Sequence, residues 1–143
     1  MGHDKLRKFA ENESFRCLLQ PDPGQVLDKS AGAGSALKLH DHPVKGHWNA
    51  TMFAEDLPIV LELGCGKGEY TIALSEKNPG SNYIGVDIKG ARLWKGAKYA
   101  TINNLPNVAF LRTRIEFIEA FFSPGEVSEI WLTFSDPQLK SER

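Results

Sequence analysis

From Ile59 onward, short apolar runs alternate with helical patterns without a break, and that rhythm limits the chain to few folds. The runs "IVLEL" (59–63), "NYIGVDI" (82–88), "VAFLRT" (108–113) and "EIWLTF" (129–134) are rich in β-branched and aromatic residues and have strand length. Between them, helix-like spacing covers about 67–77, 91–103 and 115–122, with Tyr70, Ala73 and Leu74 sharing the expected inward face of the first helix. "NPG" (78–80) and "SPGEVS" (123–128) supply the breaks. A β-α-β-α-β-α-β order predicts an α/β fold of the Rossmann-like kind, a parallel sheet with helices on both faces. Such sheets hold ligands beyond the carboxyl ends of their strands, near the point where strand order reverses. That rule selects Glu62 to Gly68, Asp87, Arg112 to Ile115 and Ser135 to Lys140.

At 143 residues the chain suits one domain. Residues 47–143 are expected to form it, preceded over 1–46 by a basic, weakly amphipathic segment and an extended arm, the Pro- and Gly-rich "PDPGQVLDKSAGAGSALKLHDHPVKG" (21–46). Apolar runs stay far below the roughly 20 residues a membrane span needs, and the N-terminus lacks an apolar signal core, so the chain reads as cytoplasmic. Cys17 and Cys65 are far apart and the second sits in a glycine loop, which fits a reducing compartment. "HDH" (40–42) has no matching ligand pair nearby, so no metal is expected. Net charge is −1, but Ile88 to Ile115 carries Lys89, Arg92, Lys95, Lys98, Arg112 and Arg114 and no acid. The first four recur every third residue, as a helical stripe does; it is either a solvated face or a phosphate-contacting patch.

The first strand runs into "ELGCGKG", with Gly64, Gly66 and Gly68 two apart. Glycine permits a tight strand-to-helix turn and close approach of a ligand to the main chain. A dinucleotide fingerprint, G-x-G-x-x-G, would need glycine where Glu69 stands, and a P-loop is absent. The E-x-G-x-G-x-G form resembles that of S-adenosylmethionine-dependent methyltransferases. That cofactor has a sulfonium and an ammonium and no pyrophosphate, so the acidic Glu62 suits it. Asp87, 23 positions after Gly64, has the spacing of a carboxylate that accepts from ribose hydroxyls, or else it caps the next helix.

The stretch "IWLTFSDPQLKSER" (130–143) delivers Asp136-Pro137 at the ligand edge with Lys140 and Arg143 beyond it. It resembles the F-[PS]-D-P-[W]-x-K-x-R segment of the tRNA (guanine-N7)-methyltransferases, and the likeness extends upstream to about residue 46, through "GHWNATMFAEDLPIVLELGCGKGEY" and "NYIGVDIKGARLWKGA". The resemblance implies a class I methyltransferase fold whose further C-terminal strands are missing here. It makes Glu62, Gly64, Gly66, Gly68, Asp87, Arg114 and Asp136 cofactor-binding, Asp136 also catalytic, and Lys140 and Arg143 the residues that meet tRNA. Two positions depart from the pattern. Arg114 stands where many members have aspartate, so adenine would be held there by main-chain groups or by arginine stacking, and Gln138 replaces a tryptophan.

The implied reaction moves a methyl group from S-adenosylmethionine to N7 of guanine 46 in the tRNA variable loop. A methyltransferase acting on a small molecule or a protein would share the cofactor half without needing the basic exit after the fourth strand. A non-catalytic adenosine-binding regulator is the other alternative.

Overall fold

The computed structural model describes residues 2–28 and 38–133. Its elements in chain order are α1 (Gly2–Asn12), β1 (Leu18–Leu19), a 3-10 turn (Pro23–Gln25), α2 (Trp48–Met52), β2 (Ile59–Leu63), α3 (Glu69–Lys77), β3 (Asn82–Asp87), α4 (Gly90–Ile102), β4 (Val108–Arg112), a second 3-10 helix (Ile115–Ala120) and β5 (Glu129–Leu132). All strand pairs are parallel, in the order β1-β4-β3-β2-β5. Strand order reverses beside β2: β3 and β4 extend the sheet to one side, and the chain then returns to place β5 on the other. This is the α/β sheet that the sequence rhythm demands.

Alternation along the strands divides the core into two layers. Ile59, Leu61, Ile84, Val86, Ala109 and Leu111 point to one face, where Trp48, Phe117 and Phe121 cover them. Val60, Tyr83, Val108 and Phe110 point to the other, against Ile72 of α3 and Leu93 and Ala97 of α4. The indole N–H of the fully buried Trp48 donates to the Phe121 carbonyl at 2.7 Å, so this large side chain enters the core with its polar atom satisfied.

Three local features differ from the sequence expectation. The basic segment ahead of the arm contributes more than a tail, α1 and the edge strand β1 that pairs Leu18 with Phe110, and the described residues of the arm bury Val26 and Val44. Helix α3 starts at Glu69, and its inward face is Thr71, Ile72 and Ser75, while Tyr70 and Ala73 are exposed. Hydroxyls sit inside because each has an acceptor there: Thr71 donates to Glu62, and Ser75 to the Ile72 carbonyl at 2.8 Å. The last expected helix is a 3-10 helix, and the last strand is Glu129–Leu132, the end of the expected strand at Phe134 lying outside the described residues. Among the described residues no helix is long and apolar enough to cross a membrane.

Candidate functional site

The carboxyl ends of β2, β3 and β4 meet at the turn that follows β2. Gly64, Gly66 and Gly68 all have φ between +60° and +78°, the left-handed region that side chains rarely adopt. The N–H groups of Gly64 and Cys65 both donate to the Val86 carbonyl, at 2.8 and 2.9 Å, and fasten the turn to β3. Gly68 has a second reason to be glycine. A Cβ there would stand 2.7 Å from a ring carbon of Phe110. Gly96 of α4 and Gly85 of β3 face the same ring, with Cβ positions 2.8 and 3.0 Å from it. Phe110 therefore lies in a cradle of three glycines that draws α3 and α4 down onto β3 and β4.

Asp87 ends β3 at the centre of this arrangement. Its Oδ2 accepts from Gly66 N–H at 2.9 Å, and its Oδ1 from Lys89 N–H at 3.0 Å. Its backbone carbonyl accepts from Thr113 N–H at 3.1 Å. The carboxylate is buried and fixed, and it braces the glycine turn and the start of α4 together. A carboxylate offers about four acceptor directions, so two protein donors leave room for two more hydrogen bonds.

Beside it opens a cleft of about 440 Å³ lined by Gly64, Asp87, Ile88, Thr113, Arg114, Ile115 and Glu116. Ile88 and Ile115 are each about half exposed, at 48% and 46%, and give the cleft apolar walls next to a buried acid. Its size falls in the range of small-molecule sites, and its polarity suits a nucleoside: flat and apolar along the base, with an acceptor for sugar hydroxyls. Arg114 does reach the cleft, but its guanidinium pairs with Glu116 at 2.9 Å and lies 5.7 Å over Phe117. The hydrogen bond from Arg114 holds the Glu116 carboxyl below its ordinary range. Two larger recesses, of about 550 and 680 Å³, lie elsewhere. The first sits at the opposite, amino end of β2, where Glu126 already accepts from the N–H groups of Gly46, Trp48 and Ser123.

Glu62 is buried in β2, and both its oxygens are taken, one by the Thr71 hydroxyl of α3 and the other by the Thr133 hydroxyl just past β5. The residue expected to touch a cofactor also ties β2 to the exit of β5. Cys65 is buried, and burial pushes its thiol well above the ordinary range, helped by the nearby carboxylates of Glu62 and Asp87. In "HDH", His42 is used structurally: its Nδ1 accepts from Val44 N–H at 3.0 Å and its ring lies 5.2 Å from that of Phe121. Among the described residues no group of His, Cys, Asp and Glu could hold a metal ion.

The structure thus brings Glu62, Gly64, Gly66, Gly68, Asp87 and Arg114 to one edge of the sheet. Asp136, Gln138, Lys140 and Arg143 lie outside the described residues. The ligand-edge stretch named from the sequence included Ile115; sequence reasoning missed Ile88, Thr71 and Thr133. The two isoleucines carried a signal, since each follows a strand end where water would be expected. The threonines carried none.

The family described as putative methyltransferase matches residues 56–143. The chain is 52% identical over 140 residues to "tRNA (guanine-N(7)-)-methyltransferase" of Christiangramia forsetii, covering 98% of this chain and 58% of that protein. It is 49% identical over 140 residues to the protein of the same name from Bacteroides thetaiotaomicron, covering 98% and 51%. The chain spans little more than half the length of these curated relatives. Among solved structures it is similar to the antibiotic-resistance methyltransferase Kmr, with a TM-score of 0.57, 19% identity, and 81% and 52% of the two chains covered. A 30S ribosomal A1408 methyltransferase from an uncultured bacterium follows at 0.52, with 17% identity and 75% and 48% covered. At such identities these two likenesses speak for the fold alone.

Proposed function

The chain belongs to the putative methyltransferase family, and on that premise we propose that it transfers a methyl group from S-adenosylmethionine to N7 of guanine 46 in the tRNA variable loop, the reaction implied by its likeness to the tRNA (guanine-N7)-methyltransferases. The observation that carries the cofactor half is the fixed Asp87 carboxylate, with spare acceptor capacity, at the mouth of an apolar cleft beside a three-glycine turn. Asp87 would accept from the ribose hydroxyls, and Ile88 and Ile115 would sandwich the adenine. Main-chain groups at 113–115 would meet its edge, because Arg114 is committed to Glu116. The glycine turn and Glu62 would face the sulfonium end. S-adenosylmethionine supplies an electrophilic methyl group on a sulfonium.

Guanine N7 has its lone pair in the ring plane, so no base is needed to expose it. The protein's task is alignment, which can contribute roughly 7–11 kcal/mol. Asp136 would orient the purine by accepting from the N1 and N2 hydrogens, and Lys140 and Arg143 would hold phosphates of the same tRNA. Lys89, Arg92 and Lys95, all exposed on or beside α4, would extend that hold. Lys98 is partly spent on Glu11, 3.4 Å away. tRNA in the cytoplasm is the substrate this reading requires.

The test is nucleoside mass spectrometry of tRNA incubated with the full-length gene product and S-adenosylmethionine, with Asp136→Asn and Asp136→Glu as variants. 7-Methylguanosine should form. Each variant should slow single-turnover transfer roughly 10²-fold, since misplacement near 1 Å costs that much, while tRNA affinity changes far less. Methylation of a protein or small molecule in place of tRNA, or no transfer at all, would favour the alternatives.

A further inference from the structure

Helix α1 lies across α4, and the two are fastened along their shared face. Asn12 Nδ2 donates to the Gly90 carbonyl at 2.9 Å, and Trp94 Nε1 donates to Glu11 Oε1 at 2.7 Å. Around the Trp94 ring stand cations from both helices: Lys8 Nζ at 4.8 Å, Lys98 Nζ at 4.9 Å and the Arg7 guanidinium at 5.5 Å from its centroid. An indole face attracts a cation, by about 0.5–1 kcal/mol at an exposed site, but gathering three is opposed by their mutual repulsion. Glu11 offsets part of it, and Asp4 stands 3.4 Å from Arg7. A clear excess of positive charge remains. Residues 2–12 hold Lys5, Arg7 and Lys8 against two acids, and residues 89–102 hold Lys89, Arg92, Lys95 and Lys98 against none. Arg92 and Lys95 are exposed and have no ion pair among the described residues. The surface also reaches the cleft, because Lys89 follows Ile88, and Arg112 Nε donates to the Ile88 carbonyl at 3.0 Å.

We propose that α1 and α4 form a single phosphate-binding face, in which Arg7 and Lys8 of α1 continue a track begun by Arg92 and Lys95 of α4, and that its partner is the sugar-phosphate backbone of the tRNA whose guanine enters the cleft. The proposal rests on the tRNA reading above and adds to it that the N-terminal helix is a binding element. A rigid polyanion fits this surface better than a small anion does. The cations are spread over two helices, and the side chains around Trp94 hold their spacing.

The test compares Arg7→Gln/Lys8→Gln with a matched pair of the same charge change, Lys38→Gln/Lys45→Gln, in the segment that packs on the opposite face of the sheet. tRNA affinity is measured by filter binding over a salt series on the full-length gene product. The α1 pair should lower the slope of log affinity against log salt by roughly 1.4–1.8, at about 0.7–0.9 for each phosphate no longer neutralised. Cofactor affinity should stay at the parental value, and the matched pair should follow the parent. Parallel lines for the parent and the α1 pair would overturn the proposal. So would equal flattening by both pairs, which would mean that net charge acts and not this face. A parent protein that forms no 7-methylguanosine removes the tRNA reading itself, an outcome separate from either slope.

Discussion

Strands β3 and β5 flank β2 and pair with it in the same parallel manner, yet they are opposite in character. Every residue of β3 is buried, and every residue of β5 is exposed, Ile130 at 58% and Leu132 at 61%. On the β3 side the polar groups answer one another: Asp87 to Gly66 and Lys89, the glycine turn to Val86, and Phe110 to its glycine cradle. On the β5 side, among the described residues, the strand has β2 as its one neighbour, the Tyr70–Trp131 ring contact at 5.8 Å, and the hydroxyl of Thr133 on Glu62. The cleft beside the glycine turn is therefore built by the described residues on their own account. The strand that leads to Asp136 leans on it through Glu62.

The largest effect expected from this contrast is on stability. Phe110→Ala should cost about 3–5 kcal/mol, as large-to-small changes in a sealed core do, or roughly 10 °C in melting temperature. The cradle cannot close over the vacated space, because its walls are backbone. Trp131→Ala removes a larger ring from the exposed strand and should cost only about 0.5–1.5 kcal/mol. Thermal or urea unfolding of the two variants side by side is the measurement. Equal destabilisation would mean that β5 is as firmly held as β4, and the contrast would fail.

Much of this division was legible in the sequence, and its blind spots have physical causes. Apolar runs of strand length, rich in β-branched and aromatic residues, together with turn residues, mark the four strands from Ile59 onward, because the inner strands of a parallel sheet are buried on both faces and read as nearly continuous apolar stretches. Leu18 and Leu19 escape notice since two residues cannot show a period; they are a strand only because β4 offers an unpaired edge. The turn of Gly64, Gly66 and Gly68 is readable because only glycine tolerates its dihedrals. That Gly68 also makes room for Phe110, 42 positions away, is a packing fact with no local trace. Thr71 and Thr133 are invisible for a like reason, since a buried hydroxyl is explained by its acceptor, and the acceptor is Glu62 in another strand.

An intermediate effect is expected at Asp87, where bracing and the proposed ribose contact coincide. Asp87→Ala should weaken S-adenosylmethionine binding about tenfold or more, since hydrogen bonds to a charged group contribute roughly 1.5–3 kcal/mol and 1.4 kcal/mol is one decade. It should also lower the stability of the ligand-free protein, because Gly66 and Lys89 lose their acceptor. Calorimetry and unfolding separate the two. A drop in stability with cofactor affinity intact would leave Asp87 a brace of the turn and remove it from the ribose site.

The smallest effect on stability, and the sharpest for the comparison, belongs to Thr133→Val. The substitution keeps shape and removes the hydroxyl that meets Glu62. Thr133 is only half buried, so water can replace the donor, and the cost should be about 1 kcal/mol. Thr71 still holds the other oxygen of Glu62, which leaves the glycine turn and the cofactor cleft in place. If β5 leans on the nucleoside half through this hydroxyl, methyl transfer at saturating cofactor should fall several-fold while S-adenosylmethionine affinity stays at the parental value. Thr133→Ser, which restores the donor, should recover the rate. A fall in cofactor affinity with the rate unchanged would reverse the dependence: Thr133 would then steady Glu62 for the cofactor, and the exit of β5 would be positioned by interactions of its own.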